Sequence, residues 1–198
     1  MTAILYIHGK GGSAAESAHY EKLFPDCKVI GLDYRTFSPW ETGAEIHEAV
    51  VGLKAKYENV ILIANSIGAF FSMNADLNGL LQKAFFISPV VNMEKLICDM
   101  MGWANVTEAE LEQKKIIPTD FGEDLSWEYL CYVRNHPLNW KVSTEILYGG
   151  KDNITSLETM KAFAERSGAG LTVMDDGEHW FHTDEQMRFL DAWIGGNL

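Results

Sequence analysis

A chain of 198 residues is the size of one domain, 1–198, and can bury roughly 70% of its unfolded surface, so its core needs no disulfide or metal staple. A hydrophobic fraction of 47% and a charged fraction of 22% are those of an ordinary water-soluble globular protein. The formal net charge of -12 argues against nucleic acid or an anionic membrane as partner, and disfavours a strongly anionic substrate.

The first predicted element is a strand, Ala3 to Ile7. It runs straight into the glycine-rich loop His8-Gly9-Lys10-Gly11-Gly12-Ser13. That loop has neither the G-x-x-x-x-G-K-[ST] nor the G-x-G-x-x-G spacing, so it does not read as a nucleotide cradle. Ser13-Ala14-Ala15-Glu16 is a capping-box pattern that opens a helix ending before Pro25. A second strand, Lys28 to Leu32, follows. Ser38-Pro39-Trp40-Glu41 then opens a longer helix, with proline at its first position and an apolar stripe at Ile46, Val50, Leu53 and Tyr57.

Val60 to Ala64 is a third, almost wholly apolar strand, as expected of one covered on both faces. It ends in Ala64-Asn65-Ser66-Ile67-Gly68, followed by a helix opening. A serine on a sharp strand-to-helix turn, with small residues two before and two after, is the pattern G-x-S-x-G with Ala64 in the first glycine's place. Alanine keeps the close packing but requires ordinary backbone geometry there. Ala84 to Ser88 is the fourth strand.

The alternation of strand and helix then breaks. Glu94 to Trp103, the segment capped at Thr107, and Ser126 to Asn135 read as three helices with no strand between them. We read residues 93–140 as a helical cap inserted into the domain. Strands resume at Thr144 to Tyr148 and Leu171 to Met174, with helices opened at Thr155 and Thr183 and stops at Gly168 and Gly195. Alternating short strands and amphipathic helices specify an α/β fold with a mainly parallel sheet of about six strands.

Chemistry-bearing residues collect at the ends of these strands, where ligands meet an open α/β sheet. Ser66 is the nucleophile of this reading. His179, in Gly177-Glu178-His179 after the last strand, is the base, with His182 as its rival. His19, His47 and His136 lie in or beside helices and read as structural. Asp152, in Gly149-Gly150-Lys151-Asp152, is the acid that would orient the base; its alternative role is to cap the next helix. The backbone N–H groups of Ile67 and Lys10 are the donors expected to face a developing oxyanion. The Lys10 side chain would otherwise be solvated, or reach an acidic group of a substrate. Cys27, Cys98 and Cys131 are odd in number and without Cys-x-x-Cys spacing, which fits a reducing compartment and no zinc site. Met1 to Ile7 lacks the basic start of a secretory leader, no apolar run reaches the ~20 residues of a membrane span, and the chain reads as cytoplasmic.

These four motifs, in the order Ser, Asp, His, resemble the α/β-hydrolases, and the likeness runs nearly from end to end. The chain is most similar to the small esterases that begin at the His-Gly strand, without the first two antiparallel strands. The resemblance implies an acyl-enzyme mechanism with Ser66, His179 and Asp152 in the roles above, a small-molecule acyl substrate, and neither cofactor nor metal. The aromatic residues near the loops and the insertion either fill the core or line a pocket for a modest acyl group. Esters, thioesters and small amides share this machinery. A catalytically silent binding protein or a lyase on the same fold is the alternative.

Overall fold

The structure is a computed structural model that describes residues 1–198. Its main sheet contains β1 (Thr2–Ile7), β2 (Lys28–Leu32), β3 (Asn59–Asn65), β4 (Lys83–Ile87), β7 (Thr144–Gly149) and β8 (Gly170–Met174). The spatial order is β2-β1-β3-β4-β7-β8, and every adjacent pair is parallel. The chain leaves β1 toward one edge, to β2, and returns on the other side, to β3. The carboxyl ends of β1 and β3 therefore flank a switch point, where an open parallel sheet forms a crevice.

Side chains alternate across each strand, so each face carries its own core. On one face Ile4, Tyr6, Ile63, Phe85, Ile87 and Leu147 pack with Tyr20, Phe24, Leu190, Trp193 and Ile194. Tyr20 belongs to the short helix α1 (Ala18–Glu21), and Leu190, Trp193 and Ile194 to α8 (Asp184–Gly196). Leu5, Ile7, Leu62 and Phe86 point the other way and are also buried. Helices α2 (Pro39–Lys54) and α3 (Ile67–Met73) bury Ile46, Val50, Phe70 and Phe71, and α7 (Leu157–Ser167) buries Met160 and Phe163.

The chain divides into two compact units, residues 1–91 with 139–198, and residues 92–138. The second holds α4 (Met93–Trp103), α5 (Glu108–Lys114) and α6 (Trp127–Asn135), together with a two-stranded antiparallel ribbon, β5 (Ile116–Ile117) and β6 (Leu125–Ser126). Met93, Ile97, Met101, Leu111, Leu125 and Leu130 are its buried residues. Arg134 ties its helices together, bonding Glu94 at 2.7 Å and Glu108 through two nitrogens at 2.6 and 2.9 Å. Those two carboxylates push the guanidinium pKa further up.

Five local expectations need correction, the first being that no strand lies among the three inserted helices, where β5 and β6 pair. The segment opened at Ser13 begins as a 3-10 turn, Ala14–Ser17, before α1, although its capping box is present. Tyr57 lies past the end of α2 at Lys54 and is not part of its stripe. The cap of α7 is Ser156 rather than Thr155, because the Ser156 hydroxyl accepts from the Thr159 N–H. Gly195 does not stop α8, which runs on to Gly196: near a helix end a glycine costs only about 1 kcal/mol.

Candidate active site

Ser66 sits between β3 and α3 with φ 52° and ψ -120°, a conformation side-chain-bearing residues avoid at a cost of about 1–3 kcal/mol. Its neighbours over-determine that geometry. The Ser66 N–H donates to the Ile87 carbonyl at 2.9 Å, and the Ser66 carbonyl accepts from Val90 N–H at 3.1 Å and Ala69 N–H at 3.2 Å. Ala64 remains within the strand, paired with Ile7 and Phe86, so the strain of the turn falls on the serine itself. Gly68 is required for a steric reason: a Cβ there would lie 2.4 Å from the His8 carbonyl oxygen.

His179 lies in the loop between β8 and α8. Its Nε2 is 2.8 Å from Ser66 Oγ, and its Nδ1 is 2.7 Å from Asp152 Oδ2. The Asp152 side chain is fully buried and that of His179 is 16% exposed. Asp152 Oδ1 accepts from the N–H groups of Ile154 at 2.7 Å and Thr155 at 3.1 Å, which leaves Oδ2 to the imidazole. A carboxylate only accepts, so Nδ1 carries the ring proton and Nε2 accepts from the serine hydroxyl. Tyr148 steadies the same loop by donating to the Thr155 carbonyl at 2.7 Å. Burial, reinforced by the charge of Asp152, pushes the Tyr148 phenol pKa up and keeps it a donor.

The two loops bearing Asp152 and His179 are joined through their backbones. Lys151 N–H donates to the Gly177 carbonyl at 2.8 Å, and Gly150 N–H to the Met174 carbonyl at 2.8 Å. Gly149 permits this approach, since a Cβ there would sit 2.4 Å from the Glu178 carbonyl oxygen. Three side chains distant in sequence thus meet along one edge of the sheet. His182 does not join them. Its ring stacks on Trp180 with centroids 4.5 Å apart, and its Nδ1 bonds the Trp180 carbonyl at 2.7 Å. His19 pairs with Asp191, His47 bonds the Ala75 carbonyl and His136 stacks on Tyr132.

Ser66 and His179 open into a cavity of about 370 Å³, a volume on the scale of small-molecule sites. Gly9, Lys10 and Gly11 form one side, and Ile154 and Trp180 another. Ile67 directly follows Ser66 at the first position of α3, where a backbone N–H has no acceptor inside the helix. The Lys10 ammonium lies 6.0 Å from the centre of the Phe37 ring. Glu16 and Asn65 also border the cavity, and sequence reasoning missed both. Glu16 was legible only as the third residue of a capping box, and Asn65 carried no signal beyond its place before Ser66.

By sequence the chain matches no protein-family model and no curated protein. By structure it is similar to alpha/beta hydrolase domain-containing protein 10 from mouse, with a TM-score of 0.76 at 16% identity over 98% of this chain and 88% of that one. It is also similar to Est1E from Butyrivibrio proteoclasticus bound to ferulic acid, with a TM-score of 0.75 at 13% identity over 100% and 88% of the two chains. An epoxide hydrolase from Bacillus megaterium gives a TM-score of 0.67 at 15% identity over 100% and 94%. The chain has the α/β-hydrolase fold.

Proposed function

We propose that this chain is a serine hydrolase, a carboxylesterase that cleaves small acyl esters through an acyl-enzyme. One observation carries the proposal: the continuous chain Ser66 Oγ, His179 Nε2, His179 Nδ1, Asp152 Oδ2, with contacts of 2.8 and 2.7 Å at the mouth of a cavity. His179 takes the hydroxyl proton as Ser66 Oγ bonds to the ester carbonyl carbon. Asp152 holds the ring tautomer and offsets the positive charge that appears on the imidazole. The backbone N–H groups of Ile67 and Lys10 donate to the oxyanion, each worth about 3–4 kcal/mol in the transition state. The alkoxide leaves with the proton from Nε2. Water then gives a proton to His179 and its oxygen to the acyl carbon, releasing the acid and restoring Ser66.

The fold alone does not choose this chemistry, since it also carries an epoxide hydrolase. A serine hydroxyl, a base and an orienting acid within hydrogen-bond reach of one another favour acyl transfer over a silent site. A cytoplasmic enzyme acting on a free small molecule is part of this proposal. No helix of the structure is long and apolar enough to cross a membrane. The test is turnover of p-nitrophenyl acetate and butyrate beside an acyl-CoA of the same chain lengths. Release of p-nitrophenol that exceeds thioester cleavage, and disappears in Ser66→Ala, supports a carboxylesterase. Preferred thioester cleavage assigns a thioesterase instead, and no turnover of either removes the hydrolase reading.

A further inference from the structure

One buried phenol ties together the two segments that flank Ser66. Tyr34 lies in the connection between β2 and α2. Its ring stacks on that of the buried His8, with centroids 4.1 Å apart and planes 6° apart. Its hydroxyl donates to the His8 carbonyl at 2.8 Å. Burial, with the charge of Glu16, pushes the Tyr34 pKa up, so the phenol stays a donor. The same ring meets Phe71 of α3 edge to face at 5.7 Å. Tyr34 therefore touches both the helix that Ser66 caps and the end of the β1 segment.

His8 passes this hold to the loop after β1. Its Nδ1 is 2.8 Å from the Gly9 carbonyl oxygen, and a carbonyl only accepts, so Nδ1 carries the ring proton. Nε2 is then an acceptor, buried and without a partner. An unpaired buried acceptor costs stability, so packing alone favours a phenylalanine here. What an imidazole adds is the bond to Gly9. The Gly9 carbonyl also accepts from the Gly12 N–H at 3.2 Å, closing a turn with Gly11 at φ 77°. Two donors thus fix this carbonyl. In a trans peptide the N–H of the next residue, Lys10, points the opposite way. The loop lies against the serine: a Cβ on Gly9 would sit 3.1 Å from Ser66 Cβ, and Gly9 and Lys10 border the cavity.

We propose that Tyr34 and His8 are positioning residues for the hydrolysis, holding the Gly9–Lys10 peptide so that the Lys10 N–H faces the oxyanion opposite Ile67. This deepens the serine hydrolase reading and rests on it. Neither side chain acts on the substrate itself. Their contribution is a donor already aimed, which needs no reorganisation when the charge appears.

The test measures kcat and KM on p-nitrophenyl acetate for the wild type, Tyr34→Phe, His8→Phe and His8→Asn. Beside these stand the inhibition constants of a trifluoromethyl ketone and of the matching methyl ketone. The first adds to a catalytic serine and carries an oxyanion in its adduct, whereas the second binds without adding. Tyr34→Phe keeps both rings and removes one oxygen. Its kcat should fall about three- to tenfold, the scale of one hydrogen bond, with KM within about twofold. His8→Phe keeps the stack and removes the Nδ1 donor. Its kcat should fall about ten- to a hundredfold, no more than the outright loss of an oxyanion donor causes. His8→Asn places an amide nitrogen where Nδ1 stood, and kcat should return to within about threefold of wild type. In each variant the trifluoromethyl ketone should weaken by the factor that kcat/KM loses, with the methyl ketone unchanged and the melting temperature within a few degrees. A kcat unmoved in Tyr34→Phe and His8→Phe, or an equal weakening of both ketones, overturns the positioning role while leaving the hydrolase intact. Tyr34→Phe decides alone if a His8 variant does not fold. No hydrolysis by the wild type overturns the hydrolase reading, and this role with it.

Discussion

Two serines occupy matching positions on neighbouring strands. Ser66 follows β3 with φ 52°, and Ser88 follows β4 with φ 43°. Both backbones are strained, and both are held by main-chain bonds to an adjacent segment: Ser66 N–H to Ile87, and Ser88 N–H to Leu147 at 2.8 Å. Their hydroxyls have opposite fates. Ser66 Oγ borders an open cavity and meets the imidazole of His179, whereas Ser88 is fully buried and its Oγ has no partner. Strain therefore does not make a nucleophile. Access and a base aimed at the oxygen do, and only the first turn has them. The second turn serves the first, since Ile87 and Val90 on either side of Ser88 grip the Ser66 backbone.

The most severe way to break this contrast is to remove the Ser66 hydroxyl. Ser66→Ala should lower kcat on p-nitrophenyl acetate by about a millionfold, and His179→Ala by a similar factor, because the two act as one unit. Combining them should cost little more than either alone, and a fully additive loss would show that they work independently. Asp152→Asn keeps the shape but lets the ring take the wrong tautomer, so kcat should fall about 10⁴-fold with little change in melting temperature. Gly68→Ala forces a Cβ against the His8 carbonyl and should cost about 1–3 kcal/mol in urea unfolding, with activity falling as the turn shifts. The smallest effect belongs to the silent partner. Ser88→Gly relieves the positive φ and removes an unpartnered hydroxyl; it should leave kcat within about twofold and stability equal or about 1 kcal/mol higher. A large loss of activity in Ser88→Gly would mean that its hydroxyl, and not only its backbone, acts on the site.

The six strands of the main sheet were legible because each is a short, largely apolar run bounded by turn residues; observed and expected limits differ by at most a residue at either end. The proximity of Ser66, Asp152 and His179 was legible for a similar reason: each lies in the connection that follows such a strand, and parallel strands carry their ends to one edge. What escaped was set by contacts between residues distant in sequence. The ribbon Ile116–Ile117 with Leu125–Ser126 has two residues per strand, too few to show a period of two. The segment after Ser13 has the cap of a helix, yet its first turn is 3-10. A Cβ on Gly31 of β2 would lie 2.0 Å from the Ala14 carbonyl, so the strand runs directly beneath that turn. The positive φ of Ser88 is invisible in Ile87-Ser88-Pro89, and the Leu147 carbonyl that its N–H meets lies on another strand. Glu16 was hidden behind a local role that explained it fully, and only the fold puts its carboxylate on the same cavity as Ser66.

The contrast between the two serines also supplies the most direct measurement. The intact protein is treated with a fluorophosphonate, which phosphonylates a serine only where a base has activated it, and the adduct is mapped by peptide mass spectrometry. The account predicts a single adduct on Ser66, lost in Ser66→Ala and in His179→Ala, with Ser88 unmodified in all three proteins. An adduct elsewhere, or none on Ser66 of the folded wild type, would contradict it.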